Sequence, residues 1–271
     1  MQPKAFTHKV PGVGNSTDPD AAIYIARAEA AGRVFTTALK SAISTFYKLL
    51  KGQVNPGFNR WADVLDLKLY TGTTAAINRL DGKNSAFDAN FFGGITHNAN
   101  GITGNAATGY YTFNFLPDTE FAAAERTYVN YCRNNASGAY ALFGSVDSSF
   151  NGDTCYPDFG GLTYFSLMAG VSGGAATVGA AGINIFTRNG PADEKMYKNG
   201  ALVYNKNAPF TFFSEEDLAR LARNFAGAID RHSPYNFCFD CTIKGGLSAA
   251  EVAILTPGIN TLQTAFGRNI Y

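Results

Sequence analysis

Between Val34 and Leu50 the apolar residues Phe35, Leu39, Ala42, Phe46 and Leu49 recur at alternating spacings of four and three. That is the seam of an amphipathic helix, widened into a broad face by Ile43, Tyr47 and Leu50 and closed by Lys51-Gly52. About two heptads fall short of the three or four that define a coiled coil, so the face can pack on its own domain or against a second copy. Upstream, Asp18-Pro19 reads as an N-cap followed by proline at the first helical position, where the missing N–H costs nothing. It predicts an earlier helix over the Ala-rich residues 20–31, interrupted by Gly32. Residues 1–17, with Pro3, Pro11, Gly12 and Gly14, read as an irregular arm.

After Asn55-Pro56-Gly57 the period drops to two. Leu65, Leu67 and Leu69 alternate with Asp66, Lys68 and Tyr70, which predicts an antiparallel strand with one buried and one wet face. Further strands are predicted at 86–92, 110–115, 126–133, 139–145, 162–168, 183–188, 194–198, 201–205, 210–213, 218–224 and 236–243. The strongest hairpin signal is Lys195 to Tyr204, because Asn199-Gly200 tolerates positive φ at both turn positions and so matches the twist of the strands. Ser248 with Glu251 three residues on forms a capping box that opens a last helix toward Arg268, and Pro257-Gly258 predicts a break or kink midway. Many strands without interleaved helices predict a mainly β protein, an antiparallel sandwich or jelly roll rather than a parallel α/β sheet. The implied organisation is an arm (1–17), a helical element (18–55) and a sandwich with a C-terminal helix (56–271).

Composition sharpens this picture. The 271 residues include 23 Asn, 29 Gly and 36 Tyr plus Phe, a mixture suited to turns alternating with strands that pack aromatics. A net charge of +1 supplies no basic field for phosphates, so no nucleic-acid partner is expected. Met1-Gln2-Pro3-Lys4 lacks the apolar core of a signal peptide. The uncharged run Phe159 to Thr187 is interrupted by glycines and polar residues, and reads as strands and a loose loop rather than a membrane span.

Candidate chemistry is sparse. No strand carries Glu-x-Glu or the paired acids of a glycosidase, and Gly-x-Ser-x-Gly, His-Glu-x-x-His and phosphate-loop motifs are missing from the sequence. Glu215-Glu216-Asp217 reads as a solvated acidic turn. Cys238 and Cys241 have C-x-x-C spacing without a second pair, since Cys132 and Cys155 stand alone. In an extended strand residues three apart face opposite ways, which predicts one core thiol and one surface or interface thiol. His8, His97 and His232 give no metal-ligand spacing, and His97, beside a glycine-rich turn, is expected to bond a backbone carbonyl. Trp61, the single tryptophan, is expected where the helical part meets the sandwich. No catalytic, cofactor or metal residue is assigned; calcium is compatible with such sandwiches, but no contiguous loop spells out a site.

The segment Asn84-Ser85-Ala86-Phe87-Asp88-Ala89-Asn90-Phe91-Phe92-Gly93-Gly94-Ile95-Thr96-His97-Asn98-Ala99-Asn100-Gly101-Ile102, with Asn105 and Gly109-Tyr110, resembles one found in virion structural proteins of phages and prophages of Bacteroidota. Leu221-Ala222-Arg223-Asn224, Gly246 to Glu251 and Thr261 to Arg268 resemble the end of the same proteins, which is similar to a laminin G or concanavalin A-like jelly roll. Pro257-Gly258 and the two late cysteines depart from that pattern. The resemblance covers most of 18–271. It implies a non-enzymatic tail, fibre or capsid-surface component of a virion, assembled in the bacterial cytoplasm, docked on other virion proteins through its arm and forming a homo-oligomer. A glycan-binding adhesin is the alternative, with inter-strand loops or an exposed sheet face on a host sugar; a glycan-cleaving enzyme is the third reading.

Overall fold

The computed structural model describes residues 17–121, 124–167, 174–176, 178–210 and 214–270. Two helices come first, α1 (Pro19–Ala30) and α2 (Thr37–Leu50). Then follow β1 (Val64–Lys68), the single turn α3 (Ala75–Asn78), β2 (Asn90–Phe92), β3 (Thr96–Asn98), β4 (Gly101–Thr103), β5 (Tyr110–Thr112) and a second short turn, α4 (Pro117–Glu120). The next six strands are β6 (Arg126–Cys132), β7 (Phe143–Val146), β8 (Gly152–Phe159), β9 (Leu162–Leu167), β10 (Gly174–Ala176) and β11 (Gly182–Arg188). The chain ends with β12 (Glu194–Lys198), β13 (Ala201–Lys206), β14 (Ala219–Arg220), β15 (Arg223–Phe225), β16 (Ala228–Asp230), β17 (Asn236–Ile243) and the closing helix α5 (Ala249–Ala265).

The strands form two stacked sheets. The first runs β13-β12-β11-β6-β17-β4-β3, with β1 also on β17; the second runs β10-β9-β8-β7-β14-β5-β2, with β15 joining β7 and β16 joining β15. Among the described pairs of named strands only β15 with β7 is parallel. This is the expected mainly β, largely antiparallel two-sheet sandwich closed by a C-terminal helix.

Helices α1, α2 and α5 cover the outer face of the first sheet. Ile43, Phe46, Tyr47 and Leu50 of α2 and Val252, Leu255 and Ile259 of α5 share one apolar core with Val129, Ile183, Ile185 and Ile243. Most of the α2 face is therefore buried within its own chain, with Leu39 and Ala42 only partly covered. Asp18 caps α1 through Asp20 and Ala21 N–H and is ion-paired at 2.8 Å to Lys51, which ties the start of α1 to the end of α2. Helix α5 keeps the predicted capping box, but Pro257 does not break it: the helix continues to Ala265. Packing on α2 outweighs the lost N–H there, with Gly258 so close to Leu49 that a Cβ would lie 2.2 Å from its Cδ2.

The second core, between the sheets, is aromatic: Tyr111, Phe113, Phe115, Tyr128, Phe143, Phe165 and Phe186 are all fully buried. It also holds charge. Lys68 and Asp81 pair at 2.6 Å, Arg126 and Asp153 at 3.0 Å, Arg188 and Glu194 at 3.0 Å, and Arg220 and Asp240 at 3.1 Å, all without solvent exposure. The alternation that predicted a wet face on β1 is corrected here. All five residues of β1 are buried, because the second sheet lies over the face that carries Asp66 and Lys68, and Lys68 Nζ also donates to the Phe87 carbonyl.

Candidate functional site

The second sheet turns its other face outward, and a pocket opens there. Strand β8 places Asp153 and Cys155 inward and Thr154 and Tyr156 outward, by simple alternation. Tyr156 stands directly opposite Tyr164 of β9. Pro157 would remove a ladder hydrogen bond in a regular strand; the pairing shifts between Tyr156 and Phe159, and that irregularity accommodates it. The shift also brings Phe159 to the strand end, opposite Leu162, where Gly160-Gly161, both at positive φ, close the hairpin.

Phe150, Tyr156, Phe159, Tyr164, Arg223 and Arg231 line a pocket of about 290 Å³. Phe159 is 43% exposed and Phe150 54%, whereas Tyr156 and Arg223 are buried, so exposed rings flank a buried floor. The rings form two groups. Phe159 lies 6.1 Å from Tyr156 and 5.8 Å from Tyr164, while Phe150 lies 4.9 Å from Phe225. Each group carries a guanidinium: Arg231 over Phe159 at 5.7 Å and Arg223 over Phe225 at 4.7 Å. Arg223 donates from Nε to Asp230 at 2.8 Å and from Nη2 to the second oxygen of the same carboxylate. The Tyr156 phenol sits beside Thr154 and Arg223 yet meets no partner at hydrogen-bonding geometry, and burial pushes its pKa up.

A larger groove of about 690 Å³ runs between α2 and α5, lined by Ala42, Phe46, Leu49, Ile254 and Pro257 among others. Its lining has no titratable side chain, and its polar groups are the side chains of Ser41, Thr45, Asn55 and Thr261.

The residues singled out in the sequence lie elsewhere. Cys238 and Cys241 do not face opposite ways: the irregular pairing between Phe237 and Phe239 restores them to one side, and both are buried in the core beneath the helices. All four cysteines are free and buried. His97 packs edge-on against Phe91 at 4.6 Å, and its Nδ1 meets the Asn78 side-chain amide at 3.3 Å rather than a backbone carbonyl. Half-burial lowers its pKa. The acidic turn is wet only in part: Glu215 is exposed, but Asp217 accepts the Phe115 N–H at 2.8 Å and burial raises its pKa. Trp61 packs as expected on the helix-side core, 5.2 Å from Tyr47, with Lys51 and Lys83 over its ring. His8 and the arm to residue 16 lie outside the described residues, as do residues 211–213 of one predicted strand. Among the described residues no three His, Cys, Asp or Glu side chains gather as a metal site, and no helix is long and apolar enough to cross a membrane.

No protein-family model and no curated protein matches the chain. Solved structures match its fold. A mutant sialidase of Trypanosoma rangeli displaying trans-sialidase activity aligns with 83% of this chain and 39% of its own, at 13% identity and a TM-score of 0.55. Botulinum neurotoxin type C, in a structure concerned with cell entry through two ganglioside molecules, aligns over 73% and 51%, at 12% identity and 0.52. The binding domain of botulinum neurotoxin serotype D aligns over 72% and 52%, at 10% identity and 0.51. The chain spans about half or less of each of these structures, and at such identities the likeness defines the fold alone: a two-sheet β-sandwich.

Proposed function

We propose that this chain is a non-catalytic glycan-binding module and that the Tyr156, Phe159 and Arg231 pocket holds the sugar. The observation that carries the reading is the grouping of solvent-exposed aromatic rings with guanidinium groups over a buried polar floor. A pyranose has an apolar face of C–H groups that lies on an aromatic ring, while its hydroxyls take hydrogen bonds from side chains at the edge. Phe159 offers the ring, and the half-exposed Arg231 offers the polar contact. None of the six lining residues is an acid, and the adjacent Asp230 is engaged by Arg223, so the lining offers no pair of carboxylates for acid–base cleavage of a glycosidic bond. Similar folds include a neurotoxin whose cell entry depends on gangliosides, which supports a binding role for this class of sandwich.

The resemblance to virion structural proteins gives the module a setting, a particle surface facing a glycan-coated cell, with the arm docking it on other virion proteins. Absence of the chain from purified particles overturns that setting without touching the binding reading.

Glycan-array binding by the purified chain tests the function. Binding that falls at least tenfold in Phe159→Ala, with the thermal transition unchanged, supports it; binding that survives Phe159→Ala moves the site elsewhere.

A further inference from the structure

The two arginines of the pocket are not equivalent. Arg223 is paired, since its Nε and Nη2 both donate to the carboxylate of Asp230 and its side chain is 11% exposed. That pair cancels its own charge. Arg231 is left over. Its one ion-pair contact among the described residues is with the already engaged Asp230, at 3.9 Å, beyond hydrogen-bond reach. Its side chain is 41% exposed, and its guanidinium stays over the Phe159 ring. The backbone holds it there: Arg231 sits at φ +55°, a left-handed conformation costly for a side chain of this size, and its carbonyl accepts the Ala141 N–H at 3.0 Å. In the described ion pairs two guanidiniums thus share one carboxylate, which leaves an excess positive charge beside an exposed aromatic ring.

Resting on the glycan-binding reading of this same pocket, we infer that its ligand is an acidic saccharide, with a sugar carboxylate paired to Arg231 while the ring face lies on Phe159. A guanidinium presents two parallel N–H donors at the spacing of the two carboxylate oxygens, whereas the hydroxyls of a neutral sugar use one donor each and leave the charge unpaired. Phe150 also lines the pocket, whose volume of about 290 Å³ matches about one sugar residue. A sulfate ester offers the same negative charge in tetrahedral rather than planar form, so the two anions are separable by experiment.

An array of matched neutral, carboxylated and sulfated oligosaccharides, followed by calorimetry on the best binder and its carboxyl-reduced counterpart, tests this on the full chain. The expected result is at least tenfold tighter binding of the carboxylated sugar than of its reduced form. Arg231→Gln is expected to abolish that difference while leaving residual affinity, and Arg231→Lys to restore it only in part. Phe159→Ala is expected to weaken both sugars. Equal binding of reduced and carboxylated forms, or an undiminished preference in Arg231→Gln, overturns the acidic-sugar assignment and leaves the glycan-binding reading intact. A preference for sulfated over carboxylated sugars overturns the carboxylate. Binding to no glycan on the array overturns both readings.

Discussion

Arg126 of the first sheet and Asp153 of the second meet at 3.0 Å in the interior of the sandwich, with no solvent exposure on either side chain. The Tyr128 hydroxyl donates to the same Asp153 oxygen, so one carboxylate receives two groups from the facing sheet. Asp153 lies two residues before Cys155 and three before Tyr156. The pair that registers the two sheets is thus on the strand that presents the floor of the pocket.

Removing one partner of such a pair strands a buried charge, which costs about 3–5 kcal/mol. Asp153→Ala is expected to lose that much in urea-unfolding free energy. Arg126→Met combined with Asp153→Leu, which removes both charges and keeps the volume, is expected to recover most of it. A double variant as unstable as the single one contradicts the account.

The pH dependence of stability follows from Asp240. Burial, reinforced by the nearby Asp66 charge and only partly offset by Arg220, pushes this carboxyl up to about 6 from an ordinary value near 4. The folded state therefore holds the Asp240 proton more tightly than the unfolded chain does. Its contribution is fully present below about pH 4 and is lost as the pH rises through about 6, a swing on the order of 3 kcal/mol. Stability measured by denaturant at pH 4.5, 5.5 and 7 is expected to fall along the series by this contribution, and Asp240→Asn to flatten that slope. A wild-type slope unchanged in Asp240→Asn rejects the assignment.

Much of the fold was legible because periodicity and capping are local. Asp18-Pro19, the α2 seam, the Asn199-Gly200 hairpin and the Ser248-Glu251 capping box each lie where the sequence places them. Strand β8 was not legible, because Gly152, Asp153, Pro157 and Asp158 read as a loop; only pairing on both sides, with Gly152 at φ +139° against the Ser145 carbonyl, makes it a strand. The pocket went unseen for the same reason. Two of its rings, Tyr156 and Phe159, come from a strand hidden by Pro157, and its arginines, Arg223 and Arg231, lie far along the chain from all four rings. Gly160-Gly161 between Phe159 and Leu162 is the hairpin signal that points there. The wet face expected of β1 failed for the opposite cause: alternation reports polarity, and here a second sheet covers the polar side.

The four thiols are expected to be inert in the folded protein. Burial pushes Cys132 up to about 12 and Cys238 up to about 11, and drives Cys155 and Cys241 well above the ordinary thiol range. Thiolate, the reactive form, is scarce and inaccessible. A disulfide-exchange reagent at pH 8 is expected to titrate none of them within minutes, and all four after unfolding in guanidinium. Rapid native labelling of Cys238 or Cys241 would show that the helices do not close over that core.

The Tyr156 hydroxyl separates the floor of the pocket from its binding surface. It is buried beside Thr154 and Arg223 without a partner at good hydrogen-bonding geometry, and a buried polar group in that state costs about 1–3 kcal/mol. The ring packs on Phe159 and stands opposite Tyr164. Because the hydroxyl has no exposed surface, a sugar lying on Phe159 does not reach it. Tyr156→Phe is therefore expected to unfold at a temperature equal to or above that of the wild type, by thermal denaturation, and to bind glycan with unchanged affinity, by calorimetry. Binding weakened fivefold or more, a loss of about 1 kcal/mol, would show that the ligand opens the floor of the pocket.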